Sequence, residues 1–302
     1  MTSEITLFVN PTAGRGRGAH AAQPAASALR DAGFSVRTVL GEDAGDALRR
    51  AREAVAAGTG ALIAVGGDGM MSLALQAVAG TTTPLGVVAV GTGNDFARAL
   101  GLPIRDPAAA GRLAAEALKG GSVRAIDLGR VGERWFGSVL ASGFDSRVND
   151  RGNRMRWVGG RFKYDLAILA ELAAFKPIPY LVRLDGGPVR EIEATLIAVG
   201  NGTTYGGGMR ICADAVMDDG LFDVTVVGNC SRTTLLKVFP RVYKGTHLGH
   251  PDVTVHRVSS IELAAAGVTA YADGEQLGAL PLTAHCVPGA VGVLVPGSPT
   301  GI

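Results

Sequence analysis

At 302 residues the chain exceeds the usual extent of one hydrophobic core, so two domains are expected. Its net charge of +2 is too mild for a nucleic-acid binder, which concentrates basic residues on one face. No apolar run approaches the ~20 residues of a membrane-spanning helix.

Three cysteines, Cys212, Cys230 and Cys286, are odd in number and lack CxxC pairing. That pattern fits packing thiols in a reducing compartment better than disulfides or zinc. The N-terminus carries no basic, apolar and small-residue order of a secretory signal, so a cytoplasmic protein is expected.

From residue 1 to about 125, short Val/Ile/Leu runs alternate with Ala-rich stretches that carry charges at helical spacing, the grammar of an α/β parallel sheet. Strands are expected at Ile5 to Val9, Ser35 to Leu40, Ala61 to Val65, Leu85 to Val90 and Val123 to Leu128. Helices are expected at Ala19 to Ala32, Asp46 to Ala57, Ser72 to Ala79 and Pro107 to Leu118. After about Asp127 the texture turns to β-branched, alternating segments, and residues 126–288 read as a mainly antiparallel β domain. Its strands are expected at Trp135 to Leu140, Tyr180 to Leu184, Glu191 to Val199, Phe222 to Val227, Val253 to Val258, Ser260 to Leu263 and Val268 to Ala272. Helices at Phe162 to Phe175 and Arg232 to Lys244 interrupt them, and Pro240 kinks or ends the second. The Gly/Pro/Ser-rich tail, 289–302, is either frayed or runs back to the first domain.

Three early strands end alike, in VNPTAGRGRG (Val9 to Gly18), VGGDGM (Val65 to Met70) and VGTGNDFAR (Val90 to Arg98). In a parallel sheet their C-terminal ends share one edge. Glycine lets backbone amides approach a ligand, and a following helix N-terminus favours an anion, so a polyphosphate is the natural guest. Each turn by itself is also readable as a tight connection. No Walker A lysine pattern occurs, which argues against a P-loop NTPase. Asp68, Asp95 and Asp127 would repel a phosphate unless a divalent cation stood between, which points to magnesium. The alternative makes these acids helix caps, with Asp95 placed to cap Phe96 to Leu100.

NPTAG, GGDG, GTGNDFAR, VMDDGLFDV (Val216 to Val224) and YADGE (Tyr271 to Glu275) occur in the order of the diacylglycerol kinase catalytic-domain family, which the chain resembles over nearly its whole length. Soluble bacterial lipid kinases, related to sphingoid-base and ceramide kinases, are the most similar members. The resemblance implies a nucleotide-binding α/β domain, a β-sandwich domain and an active site in the cleft between them. It also implies ATP-dependent transfer of the γ-phosphoryl group to a lipid hydroxyl, most simply that of diacylglycerol, to give phosphatidic acid.

Carried over by motif, Asn10, Pro11, Thr12, Ala13, Gly14, Gly66, Gly67, Asp68, Gly69, Gly91, Thr92, Gly93 and Asn94 contact the nucleotide. The resemblance likewise implies that Asp68, Asp95 and Asp127 organise Mg2+ through water and that Glu275 is the general base, supported by Asp273. A structural Mg2+ falls on Asp219 with the backbone oxygens of Val216 and Leu221. A hairpin turn at Asp273–Gly274 is compatible with the same residues.

Met70, Ser72 and Leu73 depart from the family's GGDGT…Asn-Glu pattern, and Gly41 stands where a Thr often meets the adenosine. A nucleotide- or lipid-binding protein of the same fold without turnover is therefore a second reading, and an NAD kinase a third. Six basic residues between Arg147 and Lys163 surround Trp157 and face one acid, Asp150, a segment suited to an anionic bilayer. The expected partner is thus a lipid at the inner membrane face, met peripherally. His247 and His250 lack zinc spacing. Oligomeric state stays open, a homodimer included.

Overall fold

Ile5, Leu7, Phe8 and Val9 are buried in β1 (Glu4–Val9), as a strand covered on both faces requires. The computed structural model describes residues 4–9, 13–143 and 177–297. β1 pairs in parallel with β2 (Ser35–Leu40) on one side and β3 (Leu62–Gly66) on the other. β3 pairs in turn with β4 (Leu85–Ala89), also in parallel.

The connecting helices are α1 (Ala13–Asp31), α2 (Ala44–Ala56), α3 (Asp68–Val78), α4 (Asp95–Ala99) and α5 (Pro107–Gly120). Three begin earlier than their sequence suggests, α2 by two residues and α1 and α3 by four or more. α1 takes in the glycine-rich run from Gly14 to Gly18, where each glycine costs a helix about 1 kcal/mol relative to alanine. Downstream packing offsets this, because Ala21, Ala25 and Leu29 join a core with Ile63, Val65, Ala114 and Leu118. A Cβ at Gly111 would stand 2.8 Å from Ala25 Cα, so α1 and α5 meet backbone to backbone. α3 starts at Asp68 and not at Ser72, with Gly67 as an extended N-cap (φ −101°, ψ −165°).

The later strands are β5 (Val123–Val131), β6 (Arg134–Phe136), β7 (Val139–Gly143), β8 (Ile178–Leu184), β9 (Arg190–Gly200) and β10 (Phe222–Gly228). After α6 (Arg232–Val242) come β11 (Val253–Val258), β12 (Ser260–Ala264), β13 (Thr269–Ala272), β14 (Glu275–Ala279) and β15 (Leu282–Leu294). Pairings from β7 to β14 are antiparallel. β9 changes partners along its length: Arg190 to Ala194 face β8, while Leu196 to Gly200 face both β7 and β10. One core of this unit stacks Phe136 on Phe222 at 5.7 Å between ring centroids and includes Tyr180 and Ile261. A second, holding Leu196, Met209 and Val253, is covered by α6 through Leu235 and Val242. Pro240 lies in the last turn of α6, which ends at Val242.

The chain forms two compact units, Met1–Leu128 with Met217–Asp219 and Val287–Ile302, and Gly129–Val216 with Gly220–Cys286. β15 contributes to both: Leu282 pairs with Leu263 of β12, and Val293 with Leu85 of β4. Among the described residues no helix is long and apolar enough to cross a membrane. The helix expected at Phe162 to Phe175, the basic run from Arg147 to Lys163, and Asn10, Pro11 and Thr12 lie outside the described residues.

Candidate functional site

The edge of the parallel sheet assembles the first part of the site. Val9 at the end of β1 is beside Val65 of β3, and Gly66 is beside Ala89 at the end of β4. The segments leaving β1, β3 and β4 therefore start from one edge.

The second and third of these turns interlock. Asp68 Oδ1 accepts the Asp95 N–H at 2.7 Å, and Oδ2 accepts the Asn94 N–H at 2.8 Å. Asn94 is held left-handed at φ 60°. Its side chain receives the Gly91 N–H at 2.9 Å and donates to the Gly91 carbonyl at 3.0 Å. From outside the turn, Arg98 donates to the Gly93 carbonyl at 3.0 Å, and Arg105 reaches the Gly91 and Thr92 carbonyls at 3.4 Å.

Glycine is required here by contact. A Cβ at Gly91 would stand 2.5 Å from Gly67 Cα, and one at Gly93 would run into Asp68 Oδ2. Thr92 and Gly69 remain exposed along this lip, Asp68 is half-buried and Asp95 is buried. The reading of Asp95 as a cap of its own helix fails, because Asn94 is the N-cap of α4 and makes no side-chain cap. The acid that caps α4 is Asp68, reaching across from α3.

Asp127 is buried in β5, where Oδ1 accepts the Gly289 N–H of β15 at 2.8 Å and its own N–H donates to the Met217 carbonyl at 2.7 Å. Beside it, Arg124 pairs with Asp218 at 2.8 Å and holds that carboxyl below its ordinary value. The Asp218–Asp219 turn is thus tied to the same unit as the glycine turns. Among the described residues no three His, Cys, Asp or Glu side chains gather as a ready-made metal cage. A hard cation at Asp68, Asp95 or Asp127 would have to complete its shell with water and ligand oxygens.

The Asp-Gly-Glu turn sits in the other unit. Asp273, at φ 51°, points its carboxylate at three consecutive amides: Gly137 at 2.7 Å, Ser138 at 2.9 Å and Val139 at 3.3 Å. These bonds explain why the single strand expected from Trp135 to Leu140 is broken into β6 and β7. Gly137 and Ser138 turn their N–H groups to Asp273 in place of a neighbouring strand. Asn201, fully buried, completes the clamp: Nδ2 donates to the Gly137 carbonyl at 2.9 Å, and its N–H to the Ser138 carbonyl at 2.9 Å. In the sequence the only signal of Asn201 is an Asn between glycines at a strand end. Glu275 opens β14 opposite Ala272 and is exposed.

Three of the departures from pattern sit in close-packed surroundings. Met70 and Ser72 are buried on the inner side of α3. Any side chain at Gly41 would collide with Ala47 of α2, so a threonine there would require α2 to shift.

Residues 4–131 match the diacylglycerol kinase catalytic domain, and residues 138–295 match the YegS C-terminal NAD kinase beta sandwich-like domain. The chain belongs to the diacylglycerol kinase family. A diacylglycerol kinase of Mycobacterium tuberculosis is 43% identical over 298 residues, 97% of this chain and 95% of that protein. The "Probable lipid kinase YegS-like" of Pseudomonas fluorescens is 34% identical over 90% of this chain and 89% of its own. A solved diacylglycerol kinase of Bacillus anthracis superposes with TM-score 0.73 at 23% identity, over 99% of this chain and 98% of that one. An NAD kinase of Archaeoglobus fulgidus reaches TM-score 0.55 at 14% identity, over 96% and 93%, a likeness of fold alone. This diacylglycerol kinase homologue is accordingly a kinase that phosphorylates an alcohol, of the lipid kinase class.

Proposed function

We propose that the protein transfers the γ-phosphoryl group of ATP to the hydroxyl of diacylglycerol, giving phosphatidic acid. The observation that carries this reading is the near full-length match to a diacylglycerol kinase at 43% identity, joined to a glycine lip with no room for side chains at Gly91 and Gly93. In this reading Asn10 to Gly14, Gly66 to Gly69 and Gly91 to Asn94 receive the nucleotide, with backbone amides drawn close to the phosphates. Asp68, Asp95 and Asp127 supply the oxygen donors that suit Mg2+, whose contribution is to neutralise phosphate charge. A second Mg2+ would take Asp219 with the Val216 and Leu221 carbonyl oxygens.

Glu275 accepts the acceptor's hydroxyl proton as the oxygen–phosphorus bond forms. Its exposure leaves it open to a substrate hydroxyl, and the Asp273 clamp fixes the turn that carries it. Asp273 serves the proposed base by placing it.

Comparison of the wild type with Glu275→Gln tests the role assignment, using labelled ATP, Mg2+ and diacylglycerol in mixed micelles. The variant should keep its affinity for ATP and lose phosphatidic acid formation by about 100-fold or more. Undiminished turnover would remove Glu275 as the base.

A further inference from the structure

Helix α6 carries an outer surface that its packing does not explain. Its inner residues Leu235, Val238 and Val242 are buried. Leu236 and Tyr243, seven positions apart and so on one stripe, are 51% and 40% exposed, and Pro240 between them is exposed too. The Tyr243 ring meets Phe239 edge-on at 6.1 Å, which holds it in place at the surface. Next to this stripe Lys237 and Arg241, with Lys244 in the turn just past the Tyr243 C-cap, repeat the same spacing, and all three are exposed.

Arg241 donates to the Thr246 carbonyl. Among the described residues Lys237 and Lys244 form no ion pair. No Asp or Glu occurs from Val224 to Pro251. Acids approach from other elements: Glu193 accepts from Asn229 at 2.7 Å and Asp252 acts on Cys230 just before the helix, and Asp214 acts on His247 beyond it.

A solvated helix normally mixes both charge signs, whereas exposed apolar groups flanked by cations alone suit the boundary between headgroups and acyl chains. We propose that α6 lays this face on an anionic bilayer. Leu236, Pro240 and Tyr243 enter the interface, and Lys237, Arg241 and Lys244 meet anionic headgroups. A second copy of the chain is a poorer occupant, because pairing like faces would bring two basic stripes together. The proposal rests on the lipid-kinase reading for its purpose, since an enzyme whose acceptor is a bilayer lipid must reach the surface that holds it.

Co-sedimentation of the full chain with vesicles tests it. Wild type should bind phosphatidylglycerol/phosphatidylcholine vesicles, ignore pure phosphatidylcholine, and release in high salt. Lys237→Gln with Lys244→Gln should bind about 30-fold more weakly, and Leu236→Gln should weaken binding independently of salt. Both variants should keep wild-type activity toward a short-chain, monomeric diacylglycerol. Wild-type vesicle binding by both variants would overturn the proposal. So would unchanged vesicle binding with a dimer, seen by size-exclusion chromatography, that only the wild type forms. If the wild type itself failed to phosphorylate the short-chain acceptor, the proposed function would fall, and vesicle binding would still decide the docking surface.

Discussion

The carboxylate of Asp68 receives the backbone N–H of Asp95 at 2.7 Å, so the acid that begins α3 organises the first turn of α4. Its other oxygen takes the Asn94 N–H. Both oxygens act as acceptors, which an asparagine cannot imitate, since its NH2 would face an N–H. Asp68→Asn should therefore cost about 2 kcal/mol of stability and at least about 100-fold in kcat. Chemical denaturation and initial rates measure the two effects separately.

Gly91→Ala tests whether the two turns must touch. Its methyl would press on Gly67 Cα at 2.5 Å and Asn94 Oδ1 at 2.9 Å, both parts of the lip. The expected outcome is a loss of about 1–3 kcal/mol from overpacking, with KM for ATP raised more than KM for lipid. Steady-state kinetics with each substrate varied checks the asymmetry.

Asp273→Ala would leave the amides of Gly137, Ser138 and Val139 without their carboxylate. Buried donors stripped of an acceptor cost about 1–3 kcal/mol each, less where water reaches them, so the melting temperature should fall by several degrees. Asp273→Asn keeps one acceptor oxygen and should fall between. If Asp273 instead took part in proton transfer, both variants would lose activity with no change in melting.

Much of the first unit was legible in the sequence because strands covered on both faces read as unbroken apolar runs, as Leu62 to Val65 and Leu85 to Ala89 do. Helix starts were less so. The signal at Gly67–Asp68 is an extended glycine followed by an acid that caps a different helix, 27 residues on, and no local pattern reports that. The break between β6 and β7 depends on Asp273, 136 residues from Gly137, so Trp135 to Leu140 looked like one strand. Asn201 is buried for the same long-range reason. In β15, Pro288, Gly289 and Gly292 disguised a strand that runs to Leu294 as a tail.

His247 gives the fold an acid limit. It is fully buried, and Nε2 donates to the Ile211 carbonyl at 3.0 Å, which fixes the neutral tautomer. Burial is the main cause holding its pKa below the ordinary 6.5, against the Ile211 hydrogen bond and Asp214, which raise it; Arg241 adds to the lowering. The unfolded chain thus takes up the proton first, so stability is full above about pH 6.5 and declines as the pH falls below it. Melting curves from pH 7.5 to 5 should show this decline, and His247→Gln should flatten it.

A competition assay decides whether the protein transfers a phosphoryl group from ATP to a lipid alcohol. Purified protein is incubated with γ-labelled ATP, Mg2+, diacylglycerol micelles and NAD in one vessel. Label should appear in phosphatidic acid and not in the dinucleotide. Label in the dinucleotide, or released only as inorganic phosphate while the lipid stays unlabelled, would contradict that transfer.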